Sequence, residues 1–236
     1  SMWRAVVPGS AVARSRSSVP RCGRSGGSKR IHGDVPEGAR VGLLSFFIML
    51  GRLLAIFAHP DDESYGPAGT LVEAVSSGHA VRVVIATRGD AGSLGISKQY
   101  EPHELARIRQ GELLDAAAIL GVEAIILGWP DKGVSAVDPD LGVATLVREI
   151  RRFRPDSLLT FHPNGLSGHP DHIAITALAI SAERAAADPA FGPGLGAAWT
   201  TADHWHYALP ESKALAVAHF REMRTVSDDA IDEIMD

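Results

Sequence analysis

Two short segments carry the residues of this chain whose types and spacing could do chemistry. Residues 59–62 read His-Pro-Asp-Asp, and residues 169–172 read His-Pro-Asp-His. Each lies between an apolar run typical of a buried strand and a helical pattern. Two imidazoles and a carboxylate that leave one position open make a catalytic zinc site. The two segments together therefore predict a metal centre.

Three side chains are the candidate ligands: His59, Asp62 and His172. The same ligand types also hold Fe(II) in oxygenases, so the ligands alone leave two reaction classes open. Asp61 adjoins a ligand and is free to act as a base, and His169 lies one turn before His172, where it can donate a proton or a hydrogen bond. This spare acid–base pair favours zinc-dependent hydrolysis, because an oxygenase does not need it.

Each segment also has a simpler interpretation as the start of a helix. Aspartate is a common helix cap, and proline suits the first turn. That interpretation accounts for either segment alone. It accounts less well for two such segments that both follow buried strands and both carry histidine.

Strand and helix patterns alternate along the chain from Leu53 onward, which predicts an α/β fold. The predicted strands are residues 53–58, 81–86, 124–127, 156–161 and 204–209. The predicted helices are residues 67–77, 102–120, 141–153, 170–187 and 211–220. With right-handed crossovers, we expect a Rossmann-like three-layer sandwich with a mostly parallel sheet in the order 3-2-1-4-5. The first and fourth strands are then neighbours at the switch point, so segments about 110 residues apart meet in space.

Charge divides the chain near residue 48. Residues 1–48 contain eight Lys/Arg and two Asp/Glu, whereas residues 49–236 contain fifteen and twenty-six. We expect the first part to be a basic, Ser/Gly/Arg-rich tail that is disordered or non-native, and the second to be the catalytic domain. A targeting role for the tail is the alternative. Arg52 interrupts the apolar run at 41–50 well short of the roughly 20 residues of a membrane span.

Composition narrows the partners and the cofactors. The acidic domain repels nucleic acid and anionic membranes, so we expect neither a nucleic-acid partner nor a membrane span. A single cysteine, Cys22, offers no disulfide within one chain and fits a cytoplasmic location. The loop at 87–92 lacks both common phosphate-binding patterns, which disfavours a nucleotide cofactor. The oligomeric state stays open, a homo-oligomer included.

The two segments resemble the motifs of a known family. Residues 58–63 (Ala-His-Pro-Asp-Asp-Glu) and 168–172 (Gly-His-Pro-Asp-His) look like those of the LmbE-like, or PIG-L, zinc-dependent N-deacetylases. The resemblance extends from about Leu53 to His219 and is weaker outside these motifs. It implies a zinc-dependent N-acetylglucosaminyl deacetylase that acts on an N-acetylated sugar conjugate. A relative that binds zinc and sugar without turnover is the alternative.

The resemblance also implies roles for individual residues. The implied metal ligands are His59, Asp62 and His172. Asp61 is the implied general base, and His169, oriented by Asp171, steadies the oxyanion. Three further residues fall where the family places polar groups around the sugar: Asp90, Arg109 and Asp131. From the residues themselves, Arg109 could equally pair with Glu112, and Asp131 suits a turn.

The predicted fifth strand contains two histidines that could resemble a second pair of metal ligands. His204 and His206 are two residues apart, so their side chains point to the same face of a strand. No carboxylate follows them at ligand spacing. We therefore expect them to be packing residues and not a second metal pair.

Overall fold

The computed structural model describes residues 3–6, 50–92 and 100–208. Within these ranges the strands are β1 (Trp3–Val6), β2 (Leu53–Phe57), β3 (Val81–Thr87), β4 (Glu123–Trp129), β5 (Ser157–Phe161) and β6 (Asp203–Tyr207). The α-helices of the same ranges are α1 (Asp62–Tyr65), α2 (Ala68–Ser76), α3 (Pro102–Leu120), α4 (Pro139–Phe153) and α5 (Pro170–Ala187). Short 3₁₀ turns occur at Val134–Ala136 and Pro193–Leu195.

The sheet is parallel throughout its described strands, in the order β1-β6-β5-β2-β3-β4. Without β1, this is the predicted order 3-2-1-4-5, which is confirmed. Strands β2, β3 and β5 are buried along their whole length, as expected of parallel strands covered on both faces. Helix α5 contacts β2, β5 and α4, while α2 contacts β3 and α3. The result is the predicted three-layer α/β sandwich.

The predicted elements agree with the structure to within two residues wherever the structure describes them. Local signals explain the sharpest boundaries. Helix α3 starts with a capping box between Glu101 and Glu104 and ends at Gly121, whose φ of 74° suits glycine. Helix α5 starts with Pro170 in its first turn. The helix predicted at 211–220 lies outside the described residues.

One strand lies in the segment that the sequence assigns to the tail. Strand β1 pairs with β6, with Trp3 opposite His204 and Val6 opposite Tyr207. Nothing in the local pattern marks these four residues as a strand, because their pairing partner lies about 200 residues away. The division at residue 48 stays a prediction, since most of the tail lies outside the described residues. None of the helices in the described ranges has the length and apolar character needed to cross a bilayer.

The pairing of β2 with β5, which are neighbours in the sheet, brings the two chemical segments together. Leu53 pairs with Ser157, and Ala55 pairs with Leu159. The carboxyl ends of both strands therefore open at the same edge of the sheet, where α/β folds bind ligands. The loops that follow these two strands carry the two chemical segments.

The chain leaves no room for a side chain at Gly66, just after α1. A Cβ at Gly66 would lie 2.0 Å from the ring end of Tyr207, which is only 6% exposed and so lacks space to move aside. We expect Gly66→Ala to lower the free energy of unfolding by about 1–3 kcal/mol through overpacking, as measured by urea denaturation. The control is Gly69→Ala inside α2, where nothing lies within 4 Å. It should gain about 0.4–1 kcal/mol. Equal stability of Gly66→Ala and the wild type would contradict this packing.

Candidate metal centre

The turn after β2 is built around the carboxylate of Asp62. Its Oδ2 accepts the backbone N–H of His59 at 2.7 Å and that of Ala58 at 3.2 Å. Asp62 and Glu63 are also the acidic first turn of α1, where negative charge favours a helix start. The same residue therefore ends the strand, begins the helix and presents its other oxygen to the site.

The three predicted ligands meet in space. His172 Nε2 lies 3.3 Å from His59 Nδ1 and 3.5 Å from Asp62 Oδ1. His59 Nδ1 lies 3.6 Å from Asp62 Oδ2. Metal–ligand bonds of about 2.0–2.1 Å in a tetrahedron place ligand atoms about 3.3–3.4 Å apart. The two histidine nitrogens have this separation, and each lies within 3.6 Å of one carboxylate oxygen of Asp62, His172 near Oδ1 and His59 near Oδ2.

The hydrogen bond to Gly165 prepares His172 for such a role. Its Nδ1 lies 3.1 Å from the carbonyl oxygen of Gly165, which places the ring proton on Nδ1 and leaves a lone pair on Nε2. The ring stacks on Phe161, with centroids 4.1 Å apart. Burial lowers the pKa of His172, so the neutral form is favoured. A neutral imidazole with a free Nε2 is the form that binds a metal.

His59 is held from behind by two carboxylates. Asp131 Oδ1 and Asp171 Oδ2 each lie 3.3 Å from His59 Nε2, so that nitrogen carries the proton and Nδ1 faces the other ligands. Burial by itself would lower the pKa of His59, but hydrogen bonds to Asp131 and Asp62 outweigh burial and raise it to about 10. The surrounding charge therefore favours a cation here, and a metal ion would displace a proton on binding.

The carboxylate of Asp171 does not contact the residue that the resemblance says it orients. Its side chain is fully buried, with Oδ1 accepting the backbone N–H of Val134 at 3.1 Å and Oδ2 facing His59. Asp171 reaches His169 through its backbone N–H, which donates to His169 Nδ1 at 3.1 Å. This contact is the side-chain cap of α5. The reason is geometric: a residue two positions into a helix offers the N-cap side chain its N–H.

The three residues predicted to contact the sugar, Asp90, Arg109 and Asp131, differ in their positions relative to the pocket. Asp131 has a side chain only 5% exposed, and its Oδ2 accepts the backbone N–H of Ala91 at 2.9 Å, so both its oxygens are engaged within the protein. Asp90 is not among the residues that line the pocket, and its buried Oδ1 has no hydrogen-bond partner within the described ranges. Arg109 does line the pocket. Asp131 lines the pocket as well, so two of the three predicted contacts, Arg109 and Asp131, lie at the cavity and Asp90 does not.

Arg109 connects helix α3 to the candidate base. Its Nη2 lies 2.5 Å from Asp61 Oδ2 and also donates to the carbonyl of Pro60, while its Nη1 lies 2.6 Å from Glu112 Oε2. Arg109 thus pairs with Glu112 and contacts Asp61 at the same time, so the two roles considered from the sequence do not exclude each other. Partial desolvation and the charge of Asp62 raise the pKa of Asp61 to about 6 against the opposing charge of Arg109, while 60% of the Asp61 side chain is exposed to solvent. A carboxylate of this kind is a base at neutral pH.

A cavity of about 310 Å³ opens above these groups. It contains the predicted ligands together with Asp61 and His169. Among the other lining residues, sequence reasoning assigned no role to four polar ones: Tyr65, Lys132, Ser167 and Tyr207. A signal existed for Tyr207, which lies within the predicted fifth strand (residues 204–209), towards the edge of the sheet where sites form.

The histidines of β6 lie inside the protein. His204 and His206 are both 5% exposed. His204 Nδ1 lies 2.5 Å from Glu183 Oε2, and His206 Nδ1 lies 2.7 Å from the carbonyl oxygen of Phe161. Neither lines the cavity. Their contacts are those of packing residues.

Residues 54–183, more than half of the chain, match the model of the PIG-L family, which is described as GlcNAc-PI de-N-acetylase. A 1D-myo-inositol 2-acetamido-2-deoxy-alpha-D-glucopyranoside deacetylase of Thermobispora bispora is 38% identical over 184 residues, which are 68% of this chain and 60% of that protein. A mycothiol S-conjugate amidase of Streptomyces coelicolor is 37% identical over 155 residues, which are 58% of this chain and 53% of that protein. The chain thus spans three fifths or less of the length of these two curated relatives.

A solved structure shares the same architecture. The N,N'-diacetylchitobiose deacetylase of Pyrococcus horikoshii superposes with a TM-score of 0.60 at 25% identity, over 86% of this chain and 84% of that chain. The stretch matched by the family model contains both chemical segments and all of the strands that bring them together, apart from β1 and β6. On this evidence of sequence and architecture, the chain belongs to the PIG-L family.

Proposed function

We propose that this chain is a zinc-dependent hydrolase that removes the N-acetyl group from an N-acetylglucosamine-containing conjugate, releasing acetate and a free amine. The observation that carries the proposal is the convergence of His59, Asp62 and His172, whose nearest nitrogen and oxygen atoms lie 3.3–3.6 Å apart, beside Asp61 and His169 in one cavity. The names of two relatives support the substrate class, since both describe deacetylases of N-acetylated sugars.

The donor set fits zinc. Two imidazole nitrogens and one carboxylate oxygen are typical of catalytic zinc sites, and the hydrogen bonds to the outer nitrogens of His59 and His172 supply the supporting contacts that such sites need. Bound zinc would lower the pKa of a water from 15.7 to about 7 and polarise a carbonyl. Fe²⁺ accepts the same ligands, so the native metal is itself part of the proposal.

Asp61 is the proposed general base. With a pKa of about 6, its carboxylate is ionised at neutral pH yet close enough in pKa to take a proton efficiently. Arg109 binds one of its oxygens, which leaves the other to accept the proton of the attacking water. The same proton then passes to the amine that leaves.

His169 is the proposed donor to the oxyanion. Because its Nδ1 accepts the N–H of Asp171, the ring proton resides on Nε2. His169 is thus a fixed N–H donor that needs no reorganisation as negative charge develops on the acetyl oxygen. Its ring centroid lies 4.9 Å from that of His59 and 5.0 Å from that of His172, beside the ligands.

Three expectations about the protein in its surroundings stay predictions. The cytoplasmic location depends on the single cysteine, and the lack of a nucleic-acid partner depends on the acidic domain. The homo-oligomer is one of several states that the chain allows.

The direct test of the proposed function is acetate release over a panel of N-acetylglucosamine conjugates with inositol, malate, lipid or oligosaccharide partners. We expect at least one to yield acetate and amine in equal amounts with oxygen excluded. A requirement for oxygen would support the oxygenase. Stoichiometric zinc binding without acetate from any conjugate would support a binding protein.

The ligand assignment predicts metal loss. We expect His59→Ala, Asp62→Ala and His172→Ala each to abolish or greatly weaken zinc binding, because three protein ligands leave no redundancy. Zinc content after dialysis measures this, with His103→Ala as the control, since His103 is exposed at the start of α3 and does not line the cavity. Wild-type zinc affinity in any of the three variants would remove that residue from the ligand set.

The roles of Asp61 and His169 predict loss of turnover with zinc retained. We expect Asp61→Asn to lower kcat by about 10²–10⁴-fold, because the amide cannot take a proton. We expect His169→Ala to lower kcat by about 10²–10³-fold through loss of one oxyanion donor. Steady-state kinetics and zinc content measure both, and KM should change little. Wild-type turnover by zinc-loaded Asp61→Asn would contradict the assignment of the base.

The contact between Arg109 and Asp61 predicts a shift in pH dependence. Only ionised Asp61 is a base, so kcat/KM should fall as pH drops through its pKa. The positive charge of Arg109 lowers that pKa, so Arg109→Met should move the acid limb to higher pH, by on the order of one unit for a partly exposed pair. Arg107→Met, which alters an exposed arginine of the same helix outside the cavity, is the control. An acid limb that stays in place or moves to lower pH would contradict this role.

A further inference from the structure

A buried carboxylate of the first segment takes no part in the chemistry described so far. Glu63 is 1% exposed and directly follows the candidate ligand Asp62. Its Oε2 accepts the backbone N–H of Asp61 at 3.0 Å, and its Oε1 accepts the hydroxyl of Ser64 at 2.6 Å. Burying a charge costs free energy unless it is hydrogen-bonded. Both oxygens of Glu63 are used on the turn that carries the candidate base.

That turn holds Asp61 in a conformation that side chains rarely adopt. Its φ is 124° and its ψ is −27°, a region in which glycine is at ease and other residues are strained. The carbonyl oxygen of Asp61 accepts the N–H groups of Ser64 and Tyr65, both at 2.9 Å, which begins α1. The carbonyl side of Asp61 is therefore anchored by the helix, and its N–H side is anchored by Glu63.

We propose that Glu63 is the positioning residue for Asp61. By accepting the Asp61 N–H, its carboxylate keeps the strained backbone in place and so directs the Asp61 side chain into the cavity, against Arg109. Without that acceptor, the N–H would have no partner and the backbone would relax away from positive φ. The carboxylate of Asp61 would then move with it. Only the assignment of Asp61 as the base rests on the proposed function.

A simpler role as a space-filling helix residue does not account for Glu63. Leucine would fill a similar volume without placing a third carboxylate beside Asp61 and Asp62. The observed contacts instead require a hydrogen-bond acceptor at this position, and they do not require its charge. Glutamine also offers an oxygen to the Asp61 N–H, while its amide can donate to the Ser64 hydroxyl. The exchange of Glu63 for Gln or Leu therefore separates the acceptor from the volume.

The first experiment measures coupling in metal-free protein by urea denaturation, with no need for activity. Asp61→Gly should raise the denaturation midpoint of the wild type, because glycine relieves the strain. In the Glu63→Leu background the same change should raise the midpoint clearly less, because the strain is no longer enforced. In the Glu63→Gln background the gain should match that of the wild type. The cycle is measured in an Arg109→Met background, so that the contact between Arg109 and Asp61 is absent from every variant and does not contribute to the difference. Equal gains in the Leu and wild-type backgrounds would overturn the proposal.

The second experiment measures acetate release by zinc-loaded protein. Glu63→Leu should lower kcat by about 10²-fold through misplacement of the base, with KM and zinc content kept. Glu63→Gln should recover most of that loss. In an Asp61→Asn background, Glu63→Leu should cause no further loss, because a positioning residue acts only through the group it positions. An equal loss in both backgrounds, or a Gln variant as slow as the Leu variant, would overturn the proposal. A wild type without deacetylase activity would refute the proposed function alone, since the denaturation cycle still tests Glu63.

Discussion

The geometry of the site depends on the orientation of the His59 ring, whose two nitrogens face different partners. Nε2 faces two buried carboxylates, Asp131 and Asp171, and this leaves Nδ1 for the side shared with the other ligand candidates. The two carboxylates come from different parts of the chain: Asp131 lies in the loop after β4, and Asp171 lies in the first turn of α5. Each also accepts a backbone N–H, Asp131 that of Ala91 in the loop after β3 and Asp171 that of Val134 in the 3₁₀ turn after β4. The contacts that orient this one imidazole therefore involve the segments that follow four strands, β2, β3, β4 and β5. They also supply outer hydrogen bonds of the kind on which metal affinity commonly depends.

Five carboxylates lie close to the His59 imidazole, although placing like charges together lowers the stability of a fold. Asp61, Asp62, Glu63, Asp131 and Asp171 all lie in or beside the centre, several of them buried. Burial, together with the charges of Asp62 and Glu63, raises the pKa of Asp61. Burial would lower the pKa of His59, but its hydrogen bonds to Asp131 and Asp62 raise it. A divalent metal ion would be stabilised by the same negative charge, so the charge around His59 and the positions of the candidate ligands both favour metal binding.

Strain at Asp61 follows from where the sheet places the site. Strand β2 ends at Phe57, and α1 begins only a few residues later, so the chain must reverse direction within the segment that also carries the ligands. The tight turn brings Asp61 beside Asp62 yet points the two side chains to different partners, Arg109 for one and His172 for the other. Stability is reduced locally for the sake of this arrangement, a pattern common at active sites.

The sequence by itself determined the fold, because apolar runs, helix caps and right-handed crossovers are local or topological rules that leave few alternatives. It also determined which three residues meet as ligand candidates, since adjacent strands carry the two segments to one edge of the sheet. Only the tertiary structure decided that Asp131 and Asp171 face His59, that Arg109 reaches Asp61 and that β1 joins the sheet. These contacts join residues from 48 to about 200 positions apart. Their side-chain directions depend on how helices and loops pack against the sheet, and no local pattern encodes that packing.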